Sequence, residues 1–250
     1  MNRCYVPLVG GIGNQLFQIA AGYAYSRKYD KRLILDFSKW SASQGNHPEI
    51  YQNTIFKNFD FSNYHTNAVT SIHEKRFNYD ELPYIEGDVS IHGYFQSIKY
   101  FEEYVDDFID MLLFPKPSVE FLEDKNLAVH IRRGDYIQHA HIHLVCDTNF
   151  YIRNMEQFPN YQINIFTDSI SSVPEEFKDV DCNIIQSSSA LDDLTMMSLH
   201  DNIVCSNSSF SWWASLLGKK KERIIVPKVW FNNFEEHGDI YRTEFELSEV

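Results

Sequence analysis

Two adjacent arginines and a carboxylate follow a short apolar run in the middle of the chain. Arg132, Arg133 and Asp135 come directly after Leu127 to Ile131, a run typical of a buried strand. Guanidinium groups bind phosphate oxygens in a bidentate geometry that an ammonium group cannot match. The formal net charge is -13, so overall attraction cannot hold an anionic ligand and a local cationic group must do so. The pair therefore predicts a diphosphate-binding site at the end of a strand.

A serine-rich segment, Ser206 to Trp213, is a second candidate for phosphate binding. It follows a strand-like run and begins a helix, and the N–H groups of a helix N-terminus bind phosphate oxygens. Alternatively, Ser208 or Ser209 simply caps the helix while the tryptophans pack in the core. Together with the arginines, the segment favours phosphate binding. Asp168 ends another apolar run and is suited to accept hydrogen bonds from a nucleobase or ribose.

A glycine loop, Gly10 to Gly13, lies between a strand-like run and a helix, and Asp36 follows about twenty residues later, as in dinucleotide-binding folds. Leu16 stands where the third glycine of that pattern belongs, which makes a dehydrogenase improbable. Two interpretations of the loop remain open. It is either a tight turn that needs positive φ angles or a segment that lets the backbone approach a substrate. Asn14 and Gln15 favour the second.

Strand-like runs alternate with helix-length segments along most of the chain, which predicts an α/β fold. The alternation favours two parallel-sheet halves with a ligand at the carboxyl ends of the strands. We place the boundary at about residues 115 to 125, giving domains 1–120 and 121–250. The stretch from Ser38 to Asp88 shows only weak periodicity. The segments that we expect to be helical are, in chain order, an amphipathic stretch at 14–29, then 99–114, 149–158 and 190–199, and one that starts at 209.

The composition narrows the class of protein. With 250 residues, 44% of them hydrophobic, the chain can bury a sizeable core. No signal peptide or membrane-spanning run is evident, so we expect a soluble cytoplasmic protein without integral membrane contact. Four widely spaced cysteines, Cys4, Cys146, Cys182 and Cys205, fit reduced thiols better than disulfides or zinc ligands. The acidic balance argues against a nucleic-acid partner.

Several separate blocks resemble the α-1,2-fucosyltransferase family, whose members use GDP-fucose. The chain is similar to that family from residue 4 to about Trp230, except in the weakly periodic stretch. His200 stands where relatives are expected to have cysteine, which bears on the acceptor side. The blocks are the glycine loop through Gln18, then Gly93 to Ser97, the HxRRxD motif from His130 to Tyr136, Phe166 to Ser169, Asp192 to Ser198, and Ser206 to Trp213.

The resemblance implies two facing Rossmann-like domains of the GT-B type, with the acceptor side N-terminal and the GDP-fucose site in the C-terminal half. It implies inverting transfer of L-fucose from GDP-β-L-fucose to the 2-hydroxyl of a terminal β-galactoside. The implied partners are therefore GDP-fucose and a galactoside-terminated oligosaccharide, with no metal and no other cofactor. Paired arginines and a helix N-terminus can stabilise a departing diphosphate without a metal.

Residue roles are carried over by matching the motifs. Arg132 and Arg133 become the electrophilic pair, with Arg133 assigned to the β-phosphate, while Asn14 faces the reacting sugar or the acceptor. The remaining donor-binding residues are Ser208, Ser209 and Phe210 for the phosphates and nucleotide, Asp168 for the guanine, and His130 in the same pocket.

The general base stays open at this point. Asp135 lies near the arginines and can accept a proton, but a carboxylate there is equally suited to be their structural partner. His139, His141 and His143 are reserve candidates on the following loop. A late, oxocarbenium-like transition state needs no strong base. The acidic pair in 179–181 resembles a metal-binding D-x-D motif, but we interpret it as a solvated turn.

Two other classes of function remain. The chain is alternatively a catalytically silent module that binds nucleotide sugar or glycan, or a fucosyltransferase that acts on a protein hydroxyl. The presence of both arginines together with the serine segment favours the enzyme, because a silent module is expected to have lost one of them.

Overall fold

A computed structural model describes residues 1–38, 47–62, 69–118, 125–138, 140–141, 143–232 and 238–250, with the backbone alone for Asp135, Gln138, Ser172 and Asp179. The chain divides into two compact units. The first comprises Met1–Pro115 and Glu236–Arg242, and the second comprises Lys116–Glu235 and Thr243–Val250. Each unit contains a parallel sheet with helices in the connections. The predicted α/β class with two Rossmann-like halves is confirmed.

The first unit contains a five-stranded sheet in the order β3-β2-β1-β5-β4, in which every strand pairing is parallel. Because β1 and β5 are parallel neighbours, the loops after these two strands leave the sheet at the same edge. The elements are β1 (Arg3–Pro7), α1 (Ile12–Lys28), β2 (Arg32–Asp36), α2 (Glu49–Gln52), β3 (Phe61–Ser62), β4 (Thr70–His73), β5 (Val89–His92) and α3 (Val105–Asp110).

Helix α1 is buried almost throughout, whereas its sequence predicts an amphipathic helix with a solvated face. Its glutamines explain the difference, because they bond to the glycine loop instead of to water. Gln18 Oε1 accepts from the N–H of Val9 at 3.0 Å, and Gln18 Nε2 donates to the Val9 carbonyl at 3.2 Å. Gln15 Nε2 donates to the carbonyl of Gly10 at 2.9 Å. Gln18, whose amide oxygen and nitrogen both have partners, therefore loses little on leaving water.

The single helix predicted at 99–114 is wrong in its extent. The segment forms two 3₁₀ turns, Ile98–Tyr100 and Glu102–Tyr104, before α3 begins. Phe101 separates the turns with a φ of -142°, outside the helical region, and its ring is buried with its centroid 6.1 Å from that of Phe17. Burial of this aromatic ring accounts for the break, because tertiary packing overrides helix propensity.

The second unit contains a six-stranded sheet in the order β11-β10-β9-β6-β7-β8, again with parallel pairing between its strands. Renumbered from β6, this is the 3-2-1-4-5-6 order of dinucleotide-binding folds, and the order reverses between β6 and β9. The elements are β6 (Asn126–Ile131), α4 (Gly134–Gln138), α5 (Thr148–Met155), β7 (Gln162–Thr167), β8 (Asn183–Ile184), α6 (Ala190–Ser198), β9 (Asn202–Val204), α7 (Ser209–Leu216), β10 (Arg223–Pro227) and β11 (Phe245–Ser248).

All four cysteines are free thiols, and three of them, Cys4, Cys146 and Cys205, are buried, in agreement with the prediction. Within the described ranges, no helix combines the length and the apolar character needed to cross a membrane.

His200, the departure from the family pattern, is fully buried between α6 and the sheet. Its Nδ1 lies 2.9 Å from the carbonyl oxygen of Met196, and its Nε2 lies 3.0 Å from Nδ2 of Asn164. A neutral imidazole protonated on Nδ1 satisfies both contacts, since it donates to the carbonyl and accepts from the amide. Burial lowers the pKa of His200 to about 4.

We expect this histidine to make folding sensitive to acid. The unfolded chain takes up a proton near pH 6.5 and the folded chain only near pH 4, so the stabilisation is complete above pH 6.5 and is lost as the pH falls towards 4. At pH 5 the expected loss is on the order of 2 kcal/mol. His200→Gln keeps an amide donor and acceptor but cannot be protonated, so its Tm should fall less than that of the wild type between pH 7.5 and 5.

The exposed His141 provides the matched control, since His141→Gln should retain the acid dependence of the wild type. If Tm falls equally with pH in the wild type and in His200→Gln, protonation of His200 does not cause the loss of stability in acid.

Candidate functional site

The candidate site of the second unit lies at the carboxyl edge of its sheet, where the strand order reverses. Arg132 and Arg133 follow β6, Asp168 follows β7, and Ser206 to Ser208 follow β9. Parallel strands deliver these loops to the same edge, and ligands of open α/β sheets bind there. The sheet therefore brings together three motifs that are separated by more than thirty residues along the chain.

Arg132 is already held by neighbouring side chains. Its Nη1 lies 3.2 Å from Oδ2 of Asp168 in an ion pair whose side chains are 32% and 20% exposed. Its Cζ lies 5.4 Å from the ring centroid of Tyr136, within the range of a cation–π contact. Its guanidinium group is therefore oriented by both an acidic and an aromatic partner.

Asp168 also holds the backbone that follows the arginines. Its Oδ1 lies 3.4 Å from the N–H nitrogens of both Arg133 and Gly134. A Cβ atom at position 134 would lie 2.4 Å from Asp168 Oδ2, so glycine is needed for this close approach. The carboxylate thus fixes the turn from which α4 begins.

Arg133 differs from its neighbour because its Nε is buried without a hydrogen-bond partner in the described part of the chain. A guanidinium group stays protonated in proteins, and a buried donor without a partner costs roughly 1–3 kcal/mol. An anionic oxygen placed there would recover that cost. Of the two arginines, Arg133 is therefore the better prepared to bind an anion.

His130 is buried at the end of β6 and stays neutral. Its Nδ1 lies 2.8 Å from Oγ of Ser206, and its ring centroid lies 5.3 Å from that of Phe210. Burial, reinforced by the positive charge of Arg132, lowers the pKa of His130 to about 3. Such a residue hydrogen-bonds and packs, but it does not take up a second proton and become positively charged at neutral pH.

Of the two alternatives that its sequence left open, the serine segment shows the helix cap, and phosphate binding stays a prediction. Ser208 caps α7, with its Oγ accepting from the N–H of Phe210 at 3.3 Å. Ser211 is buried and donates to the carbonyls of Ser206 and Ser208 at 3.1 and 3.2 Å. Ser209 and Phe210 are partly exposed at the first turn of α7. The cap thus orients a helix N-terminus, the kind of site that binds phosphate.

Tyr136 is a site residue that our sequence reasoning did not assign, although it lies one helical turn after Arg132. Its hydroxyl donates to the carbonyl of Asn207 at 3.2 Å. Its ring stacks on that of His143 with centroids 4.2 Å apart and planes 9° apart. Asn207 Nδ2 in turn donates to the carbonyl of Trp230 at 2.9 Å. Tyr136 therefore joins the arginine turn to the serine segment.

The four candidate bases differ in whether the structure describes them and in how exposed they are. The side chain of Asp135 and the whole of His139 lie outside the described residues. His141 is exposed, whereas His143 packs against the rings of Tyr136 and Phe231. Packing on two faces makes His143 better suited to orienting Tyr136 than to moving towards a substrate.

Asn14 belongs to the first unit, in the first turn of α1 at the carboxyl edge of its sheet. Its Oδ1 accepts from Gln96 Nε2 at 2.8 Å. Gly10 has a φ of +80°, and a Cβ atom there would lie 2.5 Å from Nδ2 of Asn14. The glycine thus supplies the positive φ of a tight turn and also makes room for the asparagine side chain.

Among the residues that the structure describes, no group of three or more His, Cys, Asp or Glu side chains is placed to hold a metal ion. Asp181 of the D-x-D tripeptide is exposed, and the side chain of Asp179 lies outside the described part.

Comparison with known proteins places these features in a family. The family model described as Glycosyl transferase family 11 matches residues 41–248. An alpha-1,2-colitosyltransferase of Escherichia coli is 28% identical over 274 aligned positions, which cover 94% of both chains.

Solved structures agree on the fold. The crystal structure of fucosyltransferase NodZ from Bradyrhizobium superposes with a TM-score of 0.59 at 13% identity, covering 89% of this chain and 94% of that one. A structure of NodZ alpha-1,6-fucosyltransferase soaked with GDP-fucose gives a TM-score of 0.50 at 12% identity, covering 90% and 94%.

Proposed function

The chain belongs to glycosyl transferase family 11, and from that premise we propose that it transfers L-fucose from GDP-β-L-fucose to the 2-hydroxyl of a terminal β-galactoside. The product is an Fucα1-2Gal linkage, formed with inversion and without a metal ion. The observation that carries the proposal is the Nε of Arg133, buried without a hydrogen-bond partner among the described residues, at the same sheet edge as the N-terminus of α7. This arrangement supports the binding of a diphosphate at the edge where nucleotides bind in such sheets.

The second unit, in this proposal, binds the donor. Arg133 contacts the β-phosphate, and the first turn of α7, with Ser208, Ser209 and Phe210, contacts the remaining phosphate oxygens. Arg132 adds positive charge, although its ion pair with Asp168 restricts it to one orientation. These groups act while negative charge builds on the departing GDP, and preorganised donors at such a position are usually a large catalytic contribution.

Asp168 and His130 complete the nucleotide pocket. A carboxylate offers about four lone-pair positions, and Arg132 and the N–H groups of Arg133 and Gly134 take three of those of Asp168. Asp168 can therefore still accept from one N–H group of guanine. His130 presents a neutral ring next to that of Phe210 and thereby helps to form an apolar wall beside the nucleotide.

The first unit, in this proposal, supplies the acceptor side, with Asn14 close to the reacting sugar or the acceptor. The acceptor oxygen forms a bond to C1 of fucose while the bond from C1 to the β-phosphate oxygen breaks, and its electron pair leaves with GDP. The hydroxyl proton passes to Asp135 or, if the transition state is late, directly to solvent.

A second candidate differs only in the donor. The E. coli relative is named as an alpha-1,2-colitosyltransferase, and colitose is L-fucose without its 3-hydroxyl group. A site that hydrogen-bonds the 3-hydroxyl rejects the deoxy sugar strongly, whereas an apolar pocket distinguishes the two only weakly. The ratio of kcat/KM for the fucose donor to kcat/KM for the colitose donor therefore shows which sugar the site prefers.

We expect GDP release from GDP-fucose to depend on a β-galactoside acceptor and to survive EDTA, because arginines and helix N–H groups replace a metal. Liberated GDP and the NMR linkage of the product provide the measurement. Loss of activity in EDTA with recovery on adding Mn²⁺ would contradict the metal-free mechanism. Donor binding without turnover on any acceptor would favour a silent binding module, and turnover on folded protein repeats alone would favour a protein acceptor.

A further inference from the structure

The loop after β5 contains Gln96, a buried amide that has no role in the proposed chemistry. Gln96 is 7% exposed, and its Nε2 donates to Asn14 Oδ1 at 2.8 Å. Asn14 itself is partly exposed at the carboxyl edge of the first sheet. A buried amide thus holds a partly exposed one across 82 residues of sequence.

The loop that presents Gln96 is held in an unusual conformation. Phe95 has a φ of +52°, in the left-handed region that a bulky residue rarely adopts and that is strained for it. Its ring is fully buried, 5.2 Å from that of Tyr100, and its carbonyl accepts from the N–H of Ser97 at 2.8 Å. The surrounding packing therefore stabilises the strained backbone directly before Gln96.

Glu74 closes the loop from the neighbouring strand. Its Oε2 accepts from the N–H of Tyr94 at 2.7 Å, and its Oε1 accepts from the N–H of Phe95 at 3.0 Å. A Cβ atom at Gly93 would lie 2.4 Å from Cβ and 2.7 Å from Oε2 of Glu74, so glycine is needed for the carboxylate to reach both groups. Both of its oxygens are engaged in shaping the loop.

We propose that Gln96 is a positioning residue that sets the orientation of the Asn14 amide, and that Glu74 fixes the loop in which Gln96 acts. The inference rests on the proposed function, in which Asn14 lies at the reacting sugar or the acceptor. Because Gln96 donates to Oδ1, the Nδ2 group of Asn14 is turned to the opposite side of its amide. Gly10 supplies the room for that orientation, since any larger residue would displace the asparagine.

Two substitutions separate orientation from simple loss of contact. Gln96→Met keeps the length of the side chain but removes its donor, so the Asn14 amide loses this hydrogen bond. Gln96→Glu can only accept while ionised, so it would hold Asn14 through Nδ2 and turn Oδ1 to the opposite side. We expect both variants to lower kcat for transfer about 10- to 100-fold, as small misplacements in an active site do. The Kd for GDP should be unchanged in both, and the Tm should be unchanged in Gln96→Met, which adds no buried charge.

A double-mutant cycle with Asn14→Ala provides the decisive comparison. If Gln96 acts through Asn14, Gln96→Met has no further effect once Asn14 is alanine. If the two substitutions lower kcat independently, so that their effects on the activation free energy add in the double variant, the inference is wrong. If kcat falls in Asn14→Ala but not in Gln96→Met, the inference is wrong and the proposed function is unaffected. If kcat does not change in Asn14→Ala, the role that the proposed function gives to Asn14 is wrong.

A second readout needs no substrate, so the inference stays testable if turnover is never found. The side-chain amide of Asn14 should give one set of ¹H–¹⁵N NMR signals with restricted mobility in the wild type, and mobile signals in Gln96→Met. Unchanged signals in the variant would overturn the inference. Gln157→Met is the matched control, because Gln157 Nε2 makes the same kind of bond to Asn154 Oδ1, at 3.0 Å, in the second unit.

Discussion

Arg133→Ala should lower kcat/KM for sugar transfer by about 10³-fold or more, because in the proposed mechanism it removes a preorganised cation that faces the developing charge on GDP. The Nε of this arginine, buried without a partner in the described part of the chain, is the structural basis for the expectation. We expect a lower kcat as well as a higher KM, because the diphosphate gains charge as the bond to the sugar breaks. Arg133→Lys should recover only part of the activity, since an ammonium group cannot bind two oxygens in one plane.

Nucleotide binding tests the same contact without turnover. If Arg133 binds the β-phosphate, the wild type prefers GDP to GMP and Arg133→Ala loses most of that preference. Arg153→Ala, at an exposed arginine of α5, should change neither affinity nor rate. An Arg133→Ala variant that keeps the wild-type preference for GDP would place the β-phosphate elsewhere.

Asp168→Asn should lower kcat/KM by about 100-fold, although the side chain keeps its size. The carboxylate pairs with Nη1 of Arg132 and accepts from the N–H groups of Arg133 and Gly134. An amide in its place offers one acceptor oxygen and turns an NH₂ group towards donors, which leaves buried or partly buried groups without partners. The turn that presents both arginines should therefore become less well ordered.

Base selectivity distinguishes the two roles of this carboxylate. Inosine diphosphate lacks the 2-amino group of guanine, so a carboxylate that accepts from that group prefers GDP, and Asp168→Asn should lose the preference. If the variant binds both nucleotides more weakly but in the wild-type ratio, Asp168 only positions the arginines and the guanine assignment is wrong. Asp181→Asn, at an exposed acidic residue, is the matched control.

The sequence was sufficient to predict the elements in which apolar runs are long and uninterrupted. β6 is buried along its whole length and was recognised from its apolar residues, as were β1, β7 and β9. Parallel strands covered on both faces leave this signature because every side chain must avoid water. The helix predicted at 99–114 was wrong because no local pattern reveals that the ring of Phe101 is buried against Phe17.

The amphipathic character predicted for α1 was wrong for a related reason. Gln15 and Gln18 are polar, and a sequence pattern places polar residues on a solvated face. In the folded chain their amides bond to backbone groups of Val9 and Gly10, and burial costs little for Gln18, whose amide oxygen and nitrogen both have partners. Their partners lie within ten residues in sequence, but the loop conformation that presents those partners is known only from the structure.

The sequence by itself determined the α/β class and the chemical types available for a site, because apolar periodicity and residue identity are local properties. Family motifs added the expectation of a sugar nucleotide. Only the tertiary structure distinguished Arg132, which is paired with Asp168, from Arg133, whose Nε is buried without a partner among the described residues. It alone joined Gln96 to Asn14 across 82 residues. Such pairings depend on strand order and loop conformation, which arise from contacts distant in sequence and leave no periodic trace in it.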